Sequence, residues 1–310
     1  MELGGAGHDG AMKWRGRGGA GRIEDRRGAG GGLGGGGIPL PMGKAGGGLG
    51  LIIALVVFLL FGGGLPGGGG GGLGVDPGTG PFGQAAPAPT EEELAKAPAD
   101  DPGKFVDFVA GDVDLTWKKL FAASGKTYEQ PIIVLYNGQV STACGNAPST
   151  VGPFYCPADR RVFLDLPFME ELQQRLGANG DFAQAYIIAH EIGHHVQNLL
   201  GVMDDVNLAQ QENPGDANEL SVRLELQADC LAGIWAHSAI QQADLLETGD
   251  LEEAMTAAAA VGDDRIQQQS GGGVNPDTFT HGSSEQRVKW FKQGFESGQP
   301  TSCDTFQGDV

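Results

Sequence analysis

His190-Glu191-Ile192-Gly193-His194 lies inside the apolar run from Phe182 to Leu200, and Glu225-Leu226-Gln227-Ala228-Asp229 follows on a second apolar stretch. The first segment reads H-E-x-x-H. On a helix, residues four apart share a face, so His190 and His194 can reach one ion. Two imidazoles and one carboxylate make a catalytic zinc site whose fourth position is left to water. Glu225 is the candidate third ligand, and Asp229 follows one helical turn later on the same side. The pattern is that of a zinc hydrolase, and within that class of a peptidase, with one Zn2+ per chain.

The neighbouring residues fit separate tasks. Glu191 sits about 100° around the helix from His190, off the ligand face. There it is placed to act as general base on water and to pass the proton to the leaving amine. Asp229 is placed to accept the free N–H of a ligand histidine and fix its tautomer. Gly193 costs about 1 kcal/mol against alanine in a helix, so close packing or site geometry calls for it. His195 is turned away from the ligand face, His237 is off the face of Glu225, and His8 lies in a glycine-rich tail; none is expected to bind metal. His281 stands in the polar stretch Phe279 to Arg287 that opens the last helix. From outside the two ligand helices it would stabilise the oxyanion of a tetrahedral intermediate; the alternative is a capping loop with a surface histidine. Arg287 is expected to pair with a carboxylate. An extended substrate is often held by addition to a sheet edge. The strand Val162 to Leu166 is the candidate, with an interior strand as the alternative.

Working outward, the composition divides the 310 residues unevenly. Many of the 55 glycines crowd in before residue 80, where too little apolar surface is available to offset the entropy of ordering. The net charge is −19, yet before Leu49 basic residues outnumber acidic ones. The acidic excess follows Leu49, which argues against nucleic acid as a partner, because phosphate contacts need Lys and Arg. Leu49 to Phe61 carries no polar side chain. It is short against the roughly 20 residues of a spanning helix, but its glycine flank and Leu65 bring it to a marginal span. An uncleaved anchor is favoured over a signal peptide or a core helix. Basic residues before it would put the N-terminus in the cytoplasm and the rest outside the cell membrane. The expected organisation is a disordered Gly/Arg-rich cytoplasmic tail (1–48), a single transmembrane anchor (49–65), a flexible Gly/Pro/Ala linker (66–104) and a zinc-binding domain (105–310).

The four cysteines fit an exported domain with two disulfides, among three possible connectivities. Cys144–Cys156 would close a loop rich in Gly and Pro, and Cys230–Cys303 would tie the tail to the helix of Glu225. Apolar periodicity predicts helices over Phe105 to Ala123, Pro167 to Leu176, Asp181 to Leu200, Ala217 to about Glu247, Leu251 to Val261 and Ser283 to Phe295. Pro131 to Tyr136 and Arg161 to Leu166 read as strands, with Val140 to Thr142 a short returning one. Strands first and helices later suggest an α+β domain with the metal between two helices.

These motifs together resemble the bacterial family called putative neutral zinc metallopeptidases, membrane-anchored proteins with one N-terminal span. The likeness runs through Met12-Lys13-Trp14-Arg15, Glu24-Asp25-Arg26-Arg27-Gly28, Gly152-Pro153-Phe154-Tyr155-Cys156-Pro157, Asp165, His190 to Gln197, Glu225 to Cys230 and His281 to Arg287. Because it starts at Met12, residues 1–11 read as an extension or a mis-assigned start. More distantly the metal pattern looks like that of gluzincins such as thermolysin. That implies a zincin-like fold, with His190, His194 and Glu225 as ligands, Glu191 as base and Asp229 orienting a histidine. The oxyanion role carries over to His281 less directly, since spacing and loop differ. The resemblance implies a peptide or protein substrate. Two other readings stand beside it: a zinc hydrolase of non-protein amides such as cell-wall peptides, and a non-catalytic envelope module held together by its metal. Glu191 speaks against the second, because a structural zinc needs no general base.

Overall fold

Ile132-Ile133-Val134-Leu135-Tyr136 is rich in branched and aromatic side chains and becomes an inner strand with both faces covered. The computed structural model describes residues 12–14, 17, 19, 21–28 and 89–310, apart from 95, 97, 178, 179, 244 and 272. Strand β1 (Arg22–Asp25) and the one-turn helix α1 (Glu91–Leu94) precede the long helix α2 (Asp101–Ala123). Then come β2 (Ile132–Tyr136), β3 (Gln139–Thr142), β4 (Gly145–Pro148), β5 (Phe154–Cys156) and β6 (Arg161–Asp165). The rest is helical: α3 (Leu166–Leu176), α4 (Asp181–Leu200), α5 (Val202–Glu212), α6 (Ala217–Ala243), α7 (Asp250–Ala260), α8 (Asp263–Gln269) and α9 (Ser284–Ser297). This is the α+β order expected.

The main sheet runs β1-β2-β6-β5, with β1, β2 and β6 parallel and β5 antiparallel to β6. Alternate residues serve two cores, as the two-residue period of a strand requires. Ile133, Leu135, Val162 and Leu164 face the large helical core, while Val134, Tyr136 and Phe163 face a smaller one. The β3–β4 hairpin contributes Val140 and Ala147 to the smaller core. Two strand expectations are corrected here. The Val162 to Leu166 strand is interior, since β6 is paired by β2 on one side and β5 on the other. Val140 to Thr142 pairs with β4 rather than returning onto β2.

The expected disordered tail is corrected where it is described, chiefly over residues 21–28. Arg22–Asp25 pairs in register with Ile132–Leu135, and Arg26 N–H donates to the Leu135 carbonyl. Met12 and Ile23 are buried in the large core. The Arg27 guanidinium forks onto Asp100 at 2.7 and 2.8 Å, joining this arm to the start of α2. Glycine content signals chain entropy, but it is silent about backbone pairing and single anchoring side chains. The linker boundary moves for the same reason: Leu94 is buried, and α2 begins at Asp101, with Pro102 in its first turn where a missing N–H is harmless. The anchor expected over 49–65 lies outside the described residues. Among the described residues, no helix is long and apolar enough to cross a membrane.

The site is positioned by three helices, α4, α6 and α9. A Cβ on Gly294 would stand 1.8 Å from the Cys230 carbonyl oxygen, and one on Gly233 2.1 Å from that of Phe291. Helices α6 and α9 therefore touch backbone to backbone. The disulfide Cys230–Cys303 fastens the same contact, and Cys144–Cys156 ties the β3–β4 hairpin to β5; both pairings are the expected ones. Gly193 has the anticipated packing role, since its Cβ would meet the Ala228 carbonyl oxygen of α6 at 3.1 Å.

Candidate metal centre

Helix α4 turns its middle inward, burying every residue from Ile188 to Gln197. Its stop is Gly201 in the left-handed conformation, as expected, but its N-cap is Gly180 rather than Asp181. His190 and His194 project from one face toward Glu225 of α6. The Nε2 of His190 lies 3.2 Å from one Glu225 oxygen, and the Nε2 of His194 lies 3.5 Å from the other. One donor atom from each of the three falls within 4.8 Å of the others, and all three residues are buried. Two imidazoles and a carboxylate at this spacing fit zinc in both donor type and number.

Each histidine is oriented through its far nitrogen. His190 Nδ1 is 2.8 Å from Asp229 Oδ1, the contact expected of Asp229. Arg287 donates Nε to Asp229 Oδ2 at 2.8 Å and Nη2 to Oδ1 at 2.9 Å, and the Tyr186 hydroxyl bonds the same carboxylate. The carboxylate expected to pair with Arg287 is thus Asp229, which also contacts His190. His194 Nδ1 lies 2.8 Å from Gln197 Oε1, while the Gln197 amide donates to the Leu224 carbonyl at 2.7 Å. That amide assignment makes Oε1 the acceptor, so Nδ1 carries the proton and Nε2 points its lone pair at the centre. The roles of Tyr186 and Gln197 are not read from the spacing of charges. The available signal is position: Gln197 stands one turn after His194 on its face, and Tyr186 one turn before His190.

The buried carboxyls of the cluster divide into two kinds. Burial opposes ionisation of Glu225, yet His194, His190 and His281 around it hold its carboxyl well below the usual range. Asp229 is likewise held down, with burial outweighed by Arg287 and His190. Glu191 goes the other way: burial pushes its carboxyl up, with only partial relief from His194 and His190. It is 3% exposed, and its Oε2 is buried without a hydrogen-bond partner. Burying such an acceptor unpaired is costly, which marks Glu191 as a candidate functional group.

His281 is buried rather than a surface residue. Its Nδ1 lies 3.2 Å from Asp263 Oδ1, while Asp263 Oδ2 accepts the backbone N–H groups of Thr280, His281 and Gly282. Asp263, which no motif signalled, thus folds the whole loop around the histidine. His195 and His237 are structural, as expected. His195 bonds the Tyr155 hydroxyl and the Glu129 carbonyl through its two nitrogens, and burial brings it down to about 4. His237 bonds the Phe295 carbonyl.

A buried His–His–Glu cluster carried by two helices of an α+β domain is a candidate metal centre of the His-Glu-x-x-His class. Comparison with known sequences is specific on this point. The chain belongs to the family described as putative neutral zinc metallopeptidase, whose pattern matches residues 12–306. It is 49% identical over 298 residues to the uncharacterized protein YpfJ of Escherichia coli K12, covering 95% of this chain and 99% of that protein. It is 44% identical over 255 residues to an uncharacterized Mycobacterium tuberculosis protein, covering 76% of this chain and 84% of the relative. No solved structure matches.

Proposed function

We propose that the protein is a zinc-dependent peptidase with Glu191 as its general base. The carrying observation is the unpaired, buried Glu191 carboxylate oxygen beside a complete His190–His194–Glu225 donor set. Zinc held by these three residues would supply a Lewis acid to activate water and polarise the scissile carbonyl. Glu191 takes the proton from the attacking water as its oxygen bonds the carbonyl carbon. It returns that proton to the nitrogen as the carbon–nitrogen bond breaks, so the carboxylate is regenerated in each turnover. Burial raises the affinity of Glu191 for that proton, which suits a group that must both accept and release it. His281, held in place by Asp263, offers a ring N–H to the carbonyl oxygen as negative charge builds. The edge strand β5 is pinned to α4 through Tyr155, which bonds His195 and Asn198. It takes over the substrate-holding role that β6, paired on both sides, cannot fill.

The test is hydrolysis of an internally quenched peptide library by the zinc-loaded protein. Chelation should abolish cleavage and added zinc restore it. His281→Ala should lower kcat by roughly 10²–10³-fold at unchanged zinc content. A zinc-loaded wild type that cleaves nothing in a broad library would overturn the reading.

Two disulfides suit an oxidising compartment, and the apolar segment 49–65 supports attachment to a membrane. Adjacent strands lie about 4.8 Å apart, whereas a bilayer core is about 30 Å thick. With β1 paired to β2, this reading puts residues 21–28 on the same side of the membrane as the catalytic domain, not across it. In intact cells, Gly28→Cys and Gln211→Cys, both at exposed positions, should react equally with a membrane-impermeant maleimide. Labelling at position 211 alone would restore the arrangement with a cytoplasmic N-terminus.

A further inference from the structure

A second group of carboxylates lies at the far end of α4 from the zinc-binding turn. Asp181 opens α4, Asp250 opens α7, and Glu253 sits in the first turn of α7. One carboxylate oxygen from each lies within 4.8 Å of the other two. Like charges this close disfavour one another's ionised forms.

The hydrogen bonds leave the cluster incomplete. Asp250 is 0% exposed. Its Oδ2 accepts the Glu247 N–H at 2.8 Å, but its Oδ1 is buried with no partner, and so is Oδ1 of Asp181. Glu253 Oε2 accepts the Phe182 N–H at 3.2 Å, and the Met12 N–H bonds the Asp181 carboxylate. The Glu247 carboxylate adds negative charge nearby, while Lys13 brings a positive one toward Asp250. Burial pushes the Glu253 carboxyl up to about 7, with Asp181 and Asp250 adding to the effect. Two unpaired buried oxygens in one acidic cluster are what a missing cation would leave.

We propose that Asp181, Asp250 and Glu253 form a calcium site that clamps the start of α4 to the start of α7. The donors are all carboxylate oxygens, which select a hard cation and not the metal of the histidine centre. Calcium binds oxygens at 2.3–2.6 Å, so ligands on opposite sides of it stand roughly 4.6–5.2 Å apart; magnesium at 2.0–2.1 Å asks for a tighter cage. The ion would also fix the N-terminal arm, because Met12 bonds Asp181 and the Lys13 N–H donates to the Leu245 carbonyl just before α7. Calcium bound here would therefore hold down the helix that carries His190 and His194, without touching either.

The test is equilibrium dialysis of the full-length zinc-loaded protein against radioactive calcium, with calorimetric unfolding at pH 8. We expect one calcium per chain at unchanged zinc content. The melting temperature should rise by roughly 5–10 °C at calcium a hundred times Kd. Asp250→Asn should abolish both the binding and the rise, while melting no lower than wild type without calcium, because it removes one of the repelling charges. Glu253→Gln gives the same comparison should Asp250→Asn not fold. Calcium retained in both variants, no binding in the wild type at millimolar calcium, or an equal rise with potassium chloride at matched ionic strength would each overturn the site.

Discussion

Glu191→Gln should keep one zinc per chain and lower kcat by about 10²–10⁴-fold, the range of a positioned general base. Glutamine has nearly the same shape as glutamate, and its amide is no base. Its Oε2 makes no hydrogen bond that the change would break, and His190, His194 and Glu225 are each held by other groups, Asp229, Gln197 and the two imidazoles respectively. The substitution also removes a carboxyl that burial pushes up, so the folded protein should be at least as stable near neutral pH. The sign follows from linkage. A raised carboxyl pKa means that the native state binds its proton more tightly than the unfolded state, so Glu191 lowers stability as pH climbs through that range, and glutamine removes the dependence. Turnover and melting temperature measured side by side separate a chemical defect from a folding one. Unchanged kcat in the folded, zinc-loaded variant would remove Glu191 from the mechanism.

How much of this was legible beforehand differs between the site and the frame around it. His190, Glu191, His194, Glu225 and Asp229 were readable because helical periodicity converts spacing directly into geometry, and every one of them sits on α4 or α6. Asp263 was not, because its partner His281 is brought to it by a loop whose path depends on three backbone bonds to one carboxylate. β1 escaped for a related reason. Parallel pairing is a backbone property, and the four residues between Gly21 and Arg26 carry too little side-chain pattern to announce it. The short helices α5 and α8 and the edge strand β5 were also missed: each is short, and each gains its stability from tertiary contacts. The long helices were placed within a few residues of their observed ends, with Glu247 lying beyond the end of α6 at Ala243.

Glu225→Ala should empty the zinc site and abolish turnover together, the opposite of the dissociation expected at Glu191. Glu225 is the donor from α6, and both of its oxygens face the histidines, at 3.2 and 3.5 Å. Its carboxyl is held strongly ionised by His194 and His190 despite burial, so it arrives at the site as an anion with no proton to shed. Removing it takes away one of three protein ligands and the negative charge that partly neutralises a divalent ion. Losing an outer partner of a ligand typically costs about 10–100-fold in metal affinity, and losing a ligand should cost more. The fold has reason to survive, because Arg287, Asp229, Tyr186 and the Cys230–Cys303 link hold α4, α6 and α9 together without Glu225. Metal analysis at sub-micromolar free zinc, with circular dichroism on the same sample, is the check. If the folded variant retains one zinc per chain, the third ligand lies elsewhere, and the convergence of α4 and α6 on Glu225 serves packing. If zinc disappears while the helices remain, the two variants together assign metal retention to one glutamate and proton transfer to the other, although both are buried in the same centre.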